Sequence, residues 1–405
     1  MEYFLIDEQK KFTYTRLLDD INSKSGYCHT FQTDELYDYF VNYLFALSHN
    51  KDLTLVDSTN TVEELASLGL NDVNVVTPVN ALPFKDVDSL LRAVLDSEST
   101  ITIFTSGTTG QPKKVVHSIK NLTRAVRISE RHSNDVWGYA YNPTHMAGLQ
   151  VFFQAFANHN TFVNLFNKQR CEVYNLIGEY QITHISATPT FYRLLLPFEK
   201  EYPSLKRITM GGEKSGSQLY ENILKIFPAA KVTNIYASTE AGSLFAAKGE
   251  NFQIPAGLKD KFKVEDGELL IHKSLLGTSD SFKYKGDYYC SGDLIEWVNE
   301  EEGLFKIVSR KNAMLNIGGY KVNPEEVEDE ISKIEGVEQA YVYGRANSVL
   351  GTILCADVKK QDDAELTVHD IRQALAEKLQ DFKVPRKIKF VEDFELTRTG
   401  KLKRS

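Results

Sequence analysis

Residues 105–114 read TSGTTGQPKK, and they constrain the architecture of the chain more than any other ten residues. Gly107 and Gly110 lack a Cβ, so the backbone can turn sharply there and bring its N–H groups close to an anion. Lys113 adds a positive charge. A polyphosphate is bound by short, dense donors of this kind. The remaining donors are the hydroxyl groups of Thr105, Ser106, Thr108 and Thr109. The P-loop pattern GxxxxGK[ST] is absent, and by composition alone a polar surface turn is the alternative.

The loop follows a strand-like segment, residues 101–104, in a region where predicted strands and helices alternate. Upstream, Thr33 is the predicted cap of a helix, and a short apolar strand at 53–56 and a helical segment at 62–68 follow. The alternation continues to about residue 247 and predicts a layered α/β domain. Short strands and turns from about 267 to 308 predict a β-rich part. The first helix has one apolar side, formed by Leu36, Phe40, Leu44 and Leu47.

The last ninety-odd residues predict a separate small α+β unit. Asn323 and Pro324 are a strong helix start, because Asn caps a helix and Pro is favoured at its first position. A second helix can begin at Thr367, and apolar strands flank both helices. We therefore predict an N-terminal domain over residues 1–309, a hinge at 310–313 and a C-terminal domain over 314–405.

Bulk composition excludes several classes of protein. The net charge of −8 argues against a nucleic-acid surface, which requires clustered Lys and Arg. No apolar run approaches the length of a membrane-spanning helix, and the first residues lack the pattern of a signal peptide. The four cysteines are scattered, without a CxxC and without His at ligand spacing. We therefore expect a cytoplasmic protein without stable membrane insertion and without a structural metal.

Five further stretches follow the loop in order: GGE (211–213), NIYASTE (234–240), YCSGDL (289–294), IVSRKNAMLNIGGYKV (307–322) and ELTRTGKLKRS (395–405). Together with the loop they resemble the signatures of the adenylate-forming superfamily, which includes acyl-CoA synthetases, luciferases and peptide-synthetase adenylation domains. The resemblance covers the chain from about residue 100 to its last lysines, with a shortened N-terminal part. It implies a large α/β domain with a β-rich subdomain and a small mobile C-terminal domain.

The resemblance also implies an ATP site. The loop of residues 105–110 binds phosphate, and the GGE turn of Gly211, Gly212 and Glu213 lies along the adenine with Asn234 nearby. Tyr236 stacks on the adenine. Asp293 accepts hydrogen bonds from both ribose hydroxyls, for which a carboxylate is a good bidentate partner, and Arg310 reaches the ribose.

The implied catalytic groups are Lys401, Lys113, Thr239 and Glu240. Thr239 contacts the α-phosphate, and Glu240 holds Mg²⁺, which prefers carboxylate oxygen. Lys401 presents its ammonium to the α-phosphate and the acyl carboxylate, although Glu395 stands where the family usually has Pro. Asn312 is the hinge residue. The strand-turn that carries Gly318, Gly319 and Lys321 lines a tunnel for the thiol of coenzyme A.

The resemblance places the acid near NPTHMAGLQ (142–150), where His145 is the candidate gate. Ala237 replaces the usual Gly at the end of the pocket, and Met210 could line the pocket or equally pack the core. Amino-acid-activating domains carry an Asp in this neighbourhood, and none is visible, so an acid without an α-amino group is favoured. The sequence does not decide whether the substrate is a fatty, an aryl or an aryl-succinyl acid. Aromatic residues could build the acyl pocket or equally pack the core: Phe152, Phe153, Phe156 and Tyr192.

We therefore expect an ATP-dependent, AMP-forming ligase that joins a fatty or aryl acid to coenzyme A, with Mg²⁺ as cofactor. Coenzyme A is favoured as acceptor because the chain carries no carrier domain after the lysine motif. A stand-alone ligase that loads an acyl or peptidyl carrier protein is the second hypothesis. A non-catalytic nucleotide-binding homologue is the third.

Overall fold

A computed structural model describes residues 2–81, 83–105, 112–198, 200–213, 217–248, 251–311, 313–317, 320–347, 351–361 and 364–395. At positions 105, 217, 218, 248, 321 and 351 only the backbone is described. Within these ranges none of the helices combines the length and the hydrophobicity that crossing a bilayer requires. The helices are α1 (Tyr14–Ser23), α2 (Leu36–Ser48), α3 (Val62–Ser67), α4 (Val87–Leu95), α5 (Ile119–Thr123), α6 (Met146–Phe156), α7 (Arg170–Tyr180), α8 (Pro189–Arg193), α9 (Ser217–Ile226), α10 (Pro324–Ser332) and α11 (Val368–Ala376).

The strands of the first two-thirds of the chain form most of its sheets. They are β1 (Tyr3–Asp7), β2 (Lys10–Thr13), β3 (Gly26–Cys28), β4 (Thr30–Phe31), β5 (Leu53–Leu55), β6 (Val76–Pro78), β7 (Thr100–Thr105), β8 (Lys113–Ser118), β9 (Val136–Tyr139), β10 (Thr161–Asn164), β11 (His184–Ala187), β12 (Arg207–Gly211), β13 (Lys231–Ser238), β14 (Gly242–Lys248) and β15 (Asn251–Gln253).

The remaining strands belong to the β-rich part and to the C-terminal unit. They are β16 (Phe262–Glu265), β17 (Glu268–His272), β18 (Tyr284–Lys285), β19 (Tyr288–Asn299), β20 (Leu304–Arg310), β21 (Leu315–Ile317), β22 (Tyr320–Val322), β23 (Val337–Asn347), β24 (Gly351–Lys360) and β25 (Lys387–Val391).

The largest sheet contains fourteen strands within the described ranges, in the order β16-β17-β19-β20-β15-β14-β13-β12-β11-β9-β10-β1-β2, with β18 beside β19. Its middle part, from β13 to β1, is parallel. From β14 onwards the strands are antiparallel and form the β-rich part. The predicted change from alternating strands and helices to short strands is confirmed, since a parallel sheet needs helical crossovers and an antiparallel one does not.

A second sheet, β4-β5-β7-β8, carries the predicted phosphate loop between its last two strands. The predicted strand at 101–104 is therefore confirmed as β7, and the short strand at 53–56 as β5. The two sheets enclose a large aromatic core. In this core Phe152 stacks on Phe40 with ring centroids 4.5 Å apart, and both side chains are buried.

The start of the first predicted helix was placed wrongly. Helix α2 begins at Leu36 after Glu35, and Thr33 instead accepts a hydrogen bond from the Glu35 N–H at 3.1 Å, so it caps the turn before the helix. Nor is the helix buried on one side only, because Tyr39 and Asn42 on its other faces are buried as well. The Asn42 amide holds both backbone groups of Cys28, at 2.8 and 2.9 Å, which satisfies it inside the core.

The C-terminal unit has its own hydrophobic core between sheet β23-β24-β25 and helices α10 and α11. Both predicted helix starts are confirmed. The Asn323 side chain accepts from the Glu325 N–H at 3.1 Å, and the Thr367 side chain forms a capping box with Asp370. The predicted domain boundary follows β20, which ends at Arg310. The numbers 309, 310–313 and 314 for its two sides stay a prediction.

Candidate active site

The predicted nucleotide residues converge at one edge of the large sheet. Strands β12 and β13 are parallel neighbours, with Gly211 paired to Ile235 and Met210 to Asn234. The GGE turn leaves the end of β12, and Thr239 and Glu240 follow the end of β13. In open α/β sheets the carboxyl ends of parallel strands are the usual place for a ligand.

The GGE turn is fixed by its own glutamate. Gly212 has φ +83°, a left-handed conformation that favours glycine. The Glu213 carboxylate accepts hydrogen bonds from the Thr190 N–H at 3.1 Å and from its hydroxyl at 2.7 Å, and Arg193 Nη1 lies 3.8 Å away. The Glu213 side chain therefore anchors the turn to the start of α8. Because the Glu213 side chain is engaged, the backbone of the turn is the part that could contact a flat ligand.

Asp293 lies at the centre of a hydrogen-bonded group. Its side chain is 4% exposed. The Tyr236 hydroxyl donates to Oδ2 at 2.5 Å, and Arg310 Nε donates to Oδ1 at 2.8 Å. Asp293 raises the pKa of Arg310, and burial together with Asp293 raises the pKa of the Tyr236 hydroxyl. Three residues from three separate motifs are thus joined through one carboxylate.

Tyr236 also belongs to the core. Its ring is 7% exposed and packs on Phe245 at 5.5 Å and on Phe252 at 6.1 Å. The pairing of β13 with β14 shifts register between Tyr236 and Ala237. Such irregularities redirect side chains and are frequent next to active sites. The predicted stacking of Tyr236 on adenine stays a prediction, because core packing already covers most of this ring.

The turn after β13 is held by three segments that sequence analysis did not identify. The carbonyl of Thr239 accepts from His117 Nε2 at 2.9 Å, and that of Glu240 accepts from the Gly277 N–H at 2.8 Å. The carbonyl of Ala241 accepts from Arg124 Nη2 at 2.7 Å. Three successive carbonyls are therefore fixed from outside the turn, which leaves the Thr239 and Glu240 side chains as its variable part. We call residues 239–241 with these three donors the clamped turn.

His117 holds the clamped turn as a neutral imidazole. Its side chain is 1% exposed, and Asn121 Nδ2 donates to its Nδ1 at 3.1 Å, so the ring proton is on Nε2 and points at Thr239. Burial lowers the pKa of His117 to about 4. A Cβ at Gly277 would lie 2.6 Å from the His117 ring, so glycine is required by this close approach.

The clamped turn is also joined to β8, the strand that follows the predicted phosphate loop in the sequence. Val116 on β8 and Thr278 exchange backbone hydrogen bonds of 2.9 and 2.8 Å, next to the contact that Gly277 makes with Glu240. Lys113 is the first residue of β8 and is half-buried. Tyr289 lies near Glu240, since burial and then the Glu240 carboxylate raise the pKa of its hydroxyl. Lys113, Thr239 and Glu240 thus belong to one connected assembly.

The predicted acid-binding residues lie on three elements: His145 before α6, Ala237 on β13 and Met210 on β12. His145 precedes α6, which packs against β14, and Gln150 of α6 accepts from the Ser243 N–H at 3.1 Å and from its hydroxyl at 2.8 Å. Ala237 pairs with Ser243 across the two strands. Met210 is fully buried in a core cluster, so its side chain does not line an open space. The aromatic candidates are core residues as well: Phe152, Phe153, Phe156 and Tyr192.

The segment before the predicted hinge is attached to the N-terminal domain. Lys311 Nζ lies 2.9 Å from Glu268 Oε2, and its N–H donates to the Gly292 carbonyl at 2.7 Å. Glu268 is 3% exposed and also accepts from the Gly292 N–H at 3.0 Å. Lys311 is therefore fixed beside Asp293.

Several predicted site residues lie outside the described residues, so their roles stay predictions. For Thr105 and Lys321 only the backbone is described. The others are Ser106, Gly107, Thr108, Thr109, Gly110, Asn312, Gly318, Gly319 and Lys401.

Comparison with known proteins gives two family matches. A family model described as AMP-binding enzyme matches residues 45–263, more than half of the chain. A second, described as AMP-binding enzyme C-terminal domain, matches residues 326–401. The 2-succinylbenzoate–CoA ligase of Staphylococcus epidermidis is 27% identical over 403 residues, which is 87% of this chain and 82% of that protein.

Two further similarities are informative. The D-alanine–D-alanyl carrier protein ligase of Staphylococcus aureus is 25% identical over 354 residues, 77% of this chain and 71% of that protein. The solved structure of O-succinylbenzoate coenzyme A synthetase from Bacillus subtilis, in complex with ATP and magnesium ion, superimposes with a TM-score of 0.75 at 18% identity. It covers 99% of this chain and 95% of that one, and it confirms the predicted fold class.

Proposed function

Because the chain belongs to the AMP-binding enzyme family, we propose that it activates an aromatic carboxylic acid with ATP and transfers the acyl group to coenzyme A. The predicted superfamily and the predicted class of enzyme, an AMP-forming acid–thiol ligase, are confirmed by the family matches and by the relatives. So are ATP, Mg²⁺ and coenzyme A as the cofactor and co-substrates of that class. The acid and the role of each residue are our proposal.

The hydrogen-bonded group around Asp293 is the observation that carries the nucleotide site. A buried carboxylate held by one neutral and one cationic donor is already oriented, and two ribose hydroxyls could take the place of these donors. We place the ribose at Asp293 and Arg310, and the adenine along the backbone of the GGE turn. Asn234 on β13 pairs with Met210 of β12, one residue before the GGE turn.

The clamped turn is the proposed site of the phosphates. Glu240 is half-buried near the Tyr289 hydroxyl, which suits a cation that prefers carboxylate oxygen. Glu240 would hold Mg²⁺, which when bound neutralises charge on the phosphates. Thr239 directs its hydroxyl and Lys113 its ammonium at the α-phosphate, and Lys401 completes the set of donors. Fixed donors at a developing charge are the main catalytic device in such sites.

Two half-reactions follow. An oxygen of the substrate carboxylate attacks the α-phosphorus, the bond to the bridging oxygen breaks, and pyrophosphate leaves. The thiol then loses its proton, its sulfur attacks the acyl carbon, and AMP leaves with the electron pair of the broken C–O bond. Between the two steps we propose rotation of residues 314–405 about Asn312. Lys311 is bonded to Glu268 and Gly292 of the N-terminal domain, whereas the next described backbone bond, from the Ala313 N–H to the Arg310 carbonyl, is local. These contacts support a hinge beyond Lys311.

The proposed acid is compact and aromatic. The aromatic side chains that could have built the acyl pocket are packed in the cores, so the choice of acid is argued from the relatives. The 2-succinylbenzoate–CoA ligase of Staphylococcus epidermidis is a relative over most of both chains. An aryl or aryl-succinyl acid is therefore our first choice and a fatty acid our second. We also propose that the enzyme acts in the cytoplasm, where its two co-substrates are present.

Pyrophosphate release with Mg-ATP tests the proposal. The panel contains 2-succinylbenzoate, benzoate, octanoate and D-alanine, each with and without coenzyme A, and Glu240→Gln is the inactive control. We expect turnover with an aryl acid that depends on coenzyme A. Faster turnover with octanoate than with the aryl acids would show that the substrate is a fatty acid. ATP binding without acid-dependent release would overturn catalysis and leave a nucleotide-binding homologue.

A carrier-protein acceptor is the second candidate function. The relative from Staphylococcus aureus is a carrier protein ligase, and both acceptors present a thiol. Acyl-AMP that accumulates with coenzyme A but is consumed by a phosphopantetheinylated carrier protein would establish this alternative. Consumption by coenzyme A alone would exclude it.

A further inference from the structure

Three potential metal ligands meet at the edge of the large sheet opposite the clamped turn. Asp135 directly precedes β9, and His184 is the first residue of β11, which runs parallel to β9 with His184 paired to Trp137. His132 ends a short helical turn before Asp135. The amino ends of two parallel strands therefore bring together residues that lie almost fifty positions apart. The nucleotide site lies at the carboxyl ends of neighbouring strands.

The ligand atoms have separations suited to a single ion. His132 Nδ1 is hydrogen-bonded to Asp135 Oδ2 at 2.9 Å, His184 Nε2 lies 3.5 Å from the same oxygen, and all three atoms are within 4.8 Å of one another. A bound ion would take the place of the proton between His132 and Asp135. Two ligands of a tetrahedral ion with bonds of 2.0–2.1 Å are about 3.3 Å apart. Small rotations of the two imidazole rings would therefore centre an ion among them.

His184 supplies an independent indication. Its side chain is buried, 5% exposed, and its Nε2 has no hydrogen-bond partner. Its Nδ1 lies 2.8 Å from the Thr183 hydroxyl, which itself donates to the Val136 carbonyl at 3.1 Å. The hydroxyl proton is thus used, so Nδ1 carries the ring proton and Nε2 presents its lone pair to Asp135. A lone pair facing a carboxylate oxygen is repulsive unless a cation lies between them.

The surroundings hold the other two ligands in place. Asn160 Nδ2 donates to the His132 carbonyl at 2.6 Å, and Trp137 Nε1 donates to the Asn160 side chain at 3.1 Å. The Asp135 side chain is 10% exposed, whereas the His132 side chain is 19% exposed and opens a path to solvent. Arg207 pairs with His184 from the next strand.

We propose that His132, Asp135 and His184 bind one divalent transition-metal ion. Two imidazole nitrogens and one carboxylate oxygen suit Zn²⁺, and a water molecule would complete four-coordination on the open side of His132. Bound metal would join the amino ends of β9 and β11 to the preceding turn, which is a structural role separate from catalysis. No structural metal is predicted from the sequence because the cysteines are scattered without His at ligand spacing, and His184 is remote in sequence from His132 and Asp135.

Metal content tests this proposal directly. The full-length protein is freed of metal with a chelator, dialysed against Zn²⁺ without ATP, and analysed for metal per chain, and Co²⁺ is used as a spectroscopic probe. We expect one equivalent of Zn²⁺, the visible absorption of tetrahedral Co²⁺, and a higher melting temperature with Zn²⁺. His132→Gln should lose all three effects, by more than the roughly 10- to 100-fold in affinity that an outer-shell partner is worth.

His159→Gln is the matched control. His159 Nε2 lies 3.4 Å from Asp88, so it is also a His–Asp pair, and within the described residues only the His132 cluster has three such ligands. This variant should bind Zn²⁺ like the wild type. Because His132 is partly exposed, its replacement by Gln should leave the fold intact, as the melting temperature without metal will show. Absence of Zn²⁺ from the wild type, or equal binding by His132→Gln, would overturn the proposal.

Discussion

Asp293 offers the same two oxygen atoms to the free protein and, in our proposal, to the ribose. In the free protein one oxygen accepts from Tyr236 and the other from Arg310. These donors keep a buried carboxylate hydrogen-bonded before ATP arrives, since an unpaired buried charge would be costly. Orientation of the carboxylate is therefore part of folding and need not be achieved during binding.

Replacement of Asp293 by Asn should weaken ATP binding. The change keeps the size of the side chain but removes its charge and one acceptor, and hydrogen bonds to charged groups contribute about 1.5–3 kcal/mol. We expect the KM for ATP to rise by about 10- to 100-fold, with a smaller change in kcat, in an assay of pyrophosphate release. Asp287→Asn is the control, because Asp287 is an exposed carboxylate paired with Lys273. An unchanged KM for ATP would contradict the ribose assignment.

His117 should make stability depend on pH. Burial lowers its pKa from 6.5 to about 4. Between pH 4 and pH 6.5, His117 is therefore mostly protonated in the unfolded chain and mostly neutral in the folded chain. Stability from the neutral ring is complete above pH 6.5 and is lost as the pH falls towards 4. At pH 4.5 the loss should amount to roughly 2–3 kcal/mol relative to pH 7.

Urea denaturation of wild type and His117→Gln at pH 4.5 and pH 7 measures this effect. Gln retains a donor for the Thr239 carbonyl but does not titrate, so the difference between the two proteins isolates His117 from other buried histidines such as His184. We expect the wild type to lose more stability than the variant on acidification. Equal losses of stability in the two proteins would show that folding does not lower the pKa of His117.

The clamped turn extends the argument from single residues to elements. Arg124 follows α5 and reaches three acceptors: the Ala241 carbonyl at 2.7 Å, the Leu275 carbonyl at 3.0 Å and the Asn121 side chain at 2.8 Å. It therefore joins α5 to the turn after β13 and to the segment before Gly277. A guanidinium suits this role because its donors point in several fixed directions.

Arg124→Ala should lower kcat rather than ATP affinity. Loss of one anchor lets the Thr239–Glu240 pair move, and a displacement of about 1 Å can cost up to about 100-fold in rate. Arg127→Ala is the matched control, because Arg127 is exposed three residues further along the chain. Single-turnover adenylation and binding of a non-hydrolysable ATP analogue separate the two effects. An unchanged single-turnover rate would remove Arg124 from the positioning of the turn.

Elements with local signals were predicted, and elements or contacts that depend on distant partners were not. The start of α10 follows from Asn323 and Pro324, which act within one turn. The start of α2 was placed wrongly because Thr33 and Glu35 are both plausible caps and burial on all sides removes the apolar periodicity. Ordered motifs predicted Asp293 and Glu240 as site residues, and these roles stay predictions. His117, Arg124 and Gly277 were missed because they act through backbone carbonyls more than thirty residues away, a role with no residue pattern.

At the scale of the whole molecule, the N-terminal and C-terminal units each have their own hydrophobic core, and the chain passes from one to the other at the end of β20. The C-terminal core is separate from the N-terminal cores. Lys311 is fixed to the N-terminal side, while Asn323, the cap of α10, donates to the Val308 carbonyl at 2.9 Å. Rotation of the C-terminal unit would break the second contact and preserve the first. This hydrogen bond is partly buried, and Glu328 and Asp329 of α10 also interact electrostatically with Arg193 of the N-terminal domain, so rotation would separate these groups as well.

Lys401→Ala should separate the two half-reactions. In our proposal Lys401 supports charge at the α-phosphate only during adenylation, and rotation withdraws it before the thiol attacks. Loss of one such donor typically costs about 100- to 1000-fold. We expect pyrophosphate release to fall by this factor, while thioester formation from supplied acyl-AMP and coenzyme A stays near the wild-type rate. Lys403→Ala, two residues further on, should leave both steps unchanged. Equal losses in both steps of Lys401→Ala would mean that one arrangement of the two units serves both reactions.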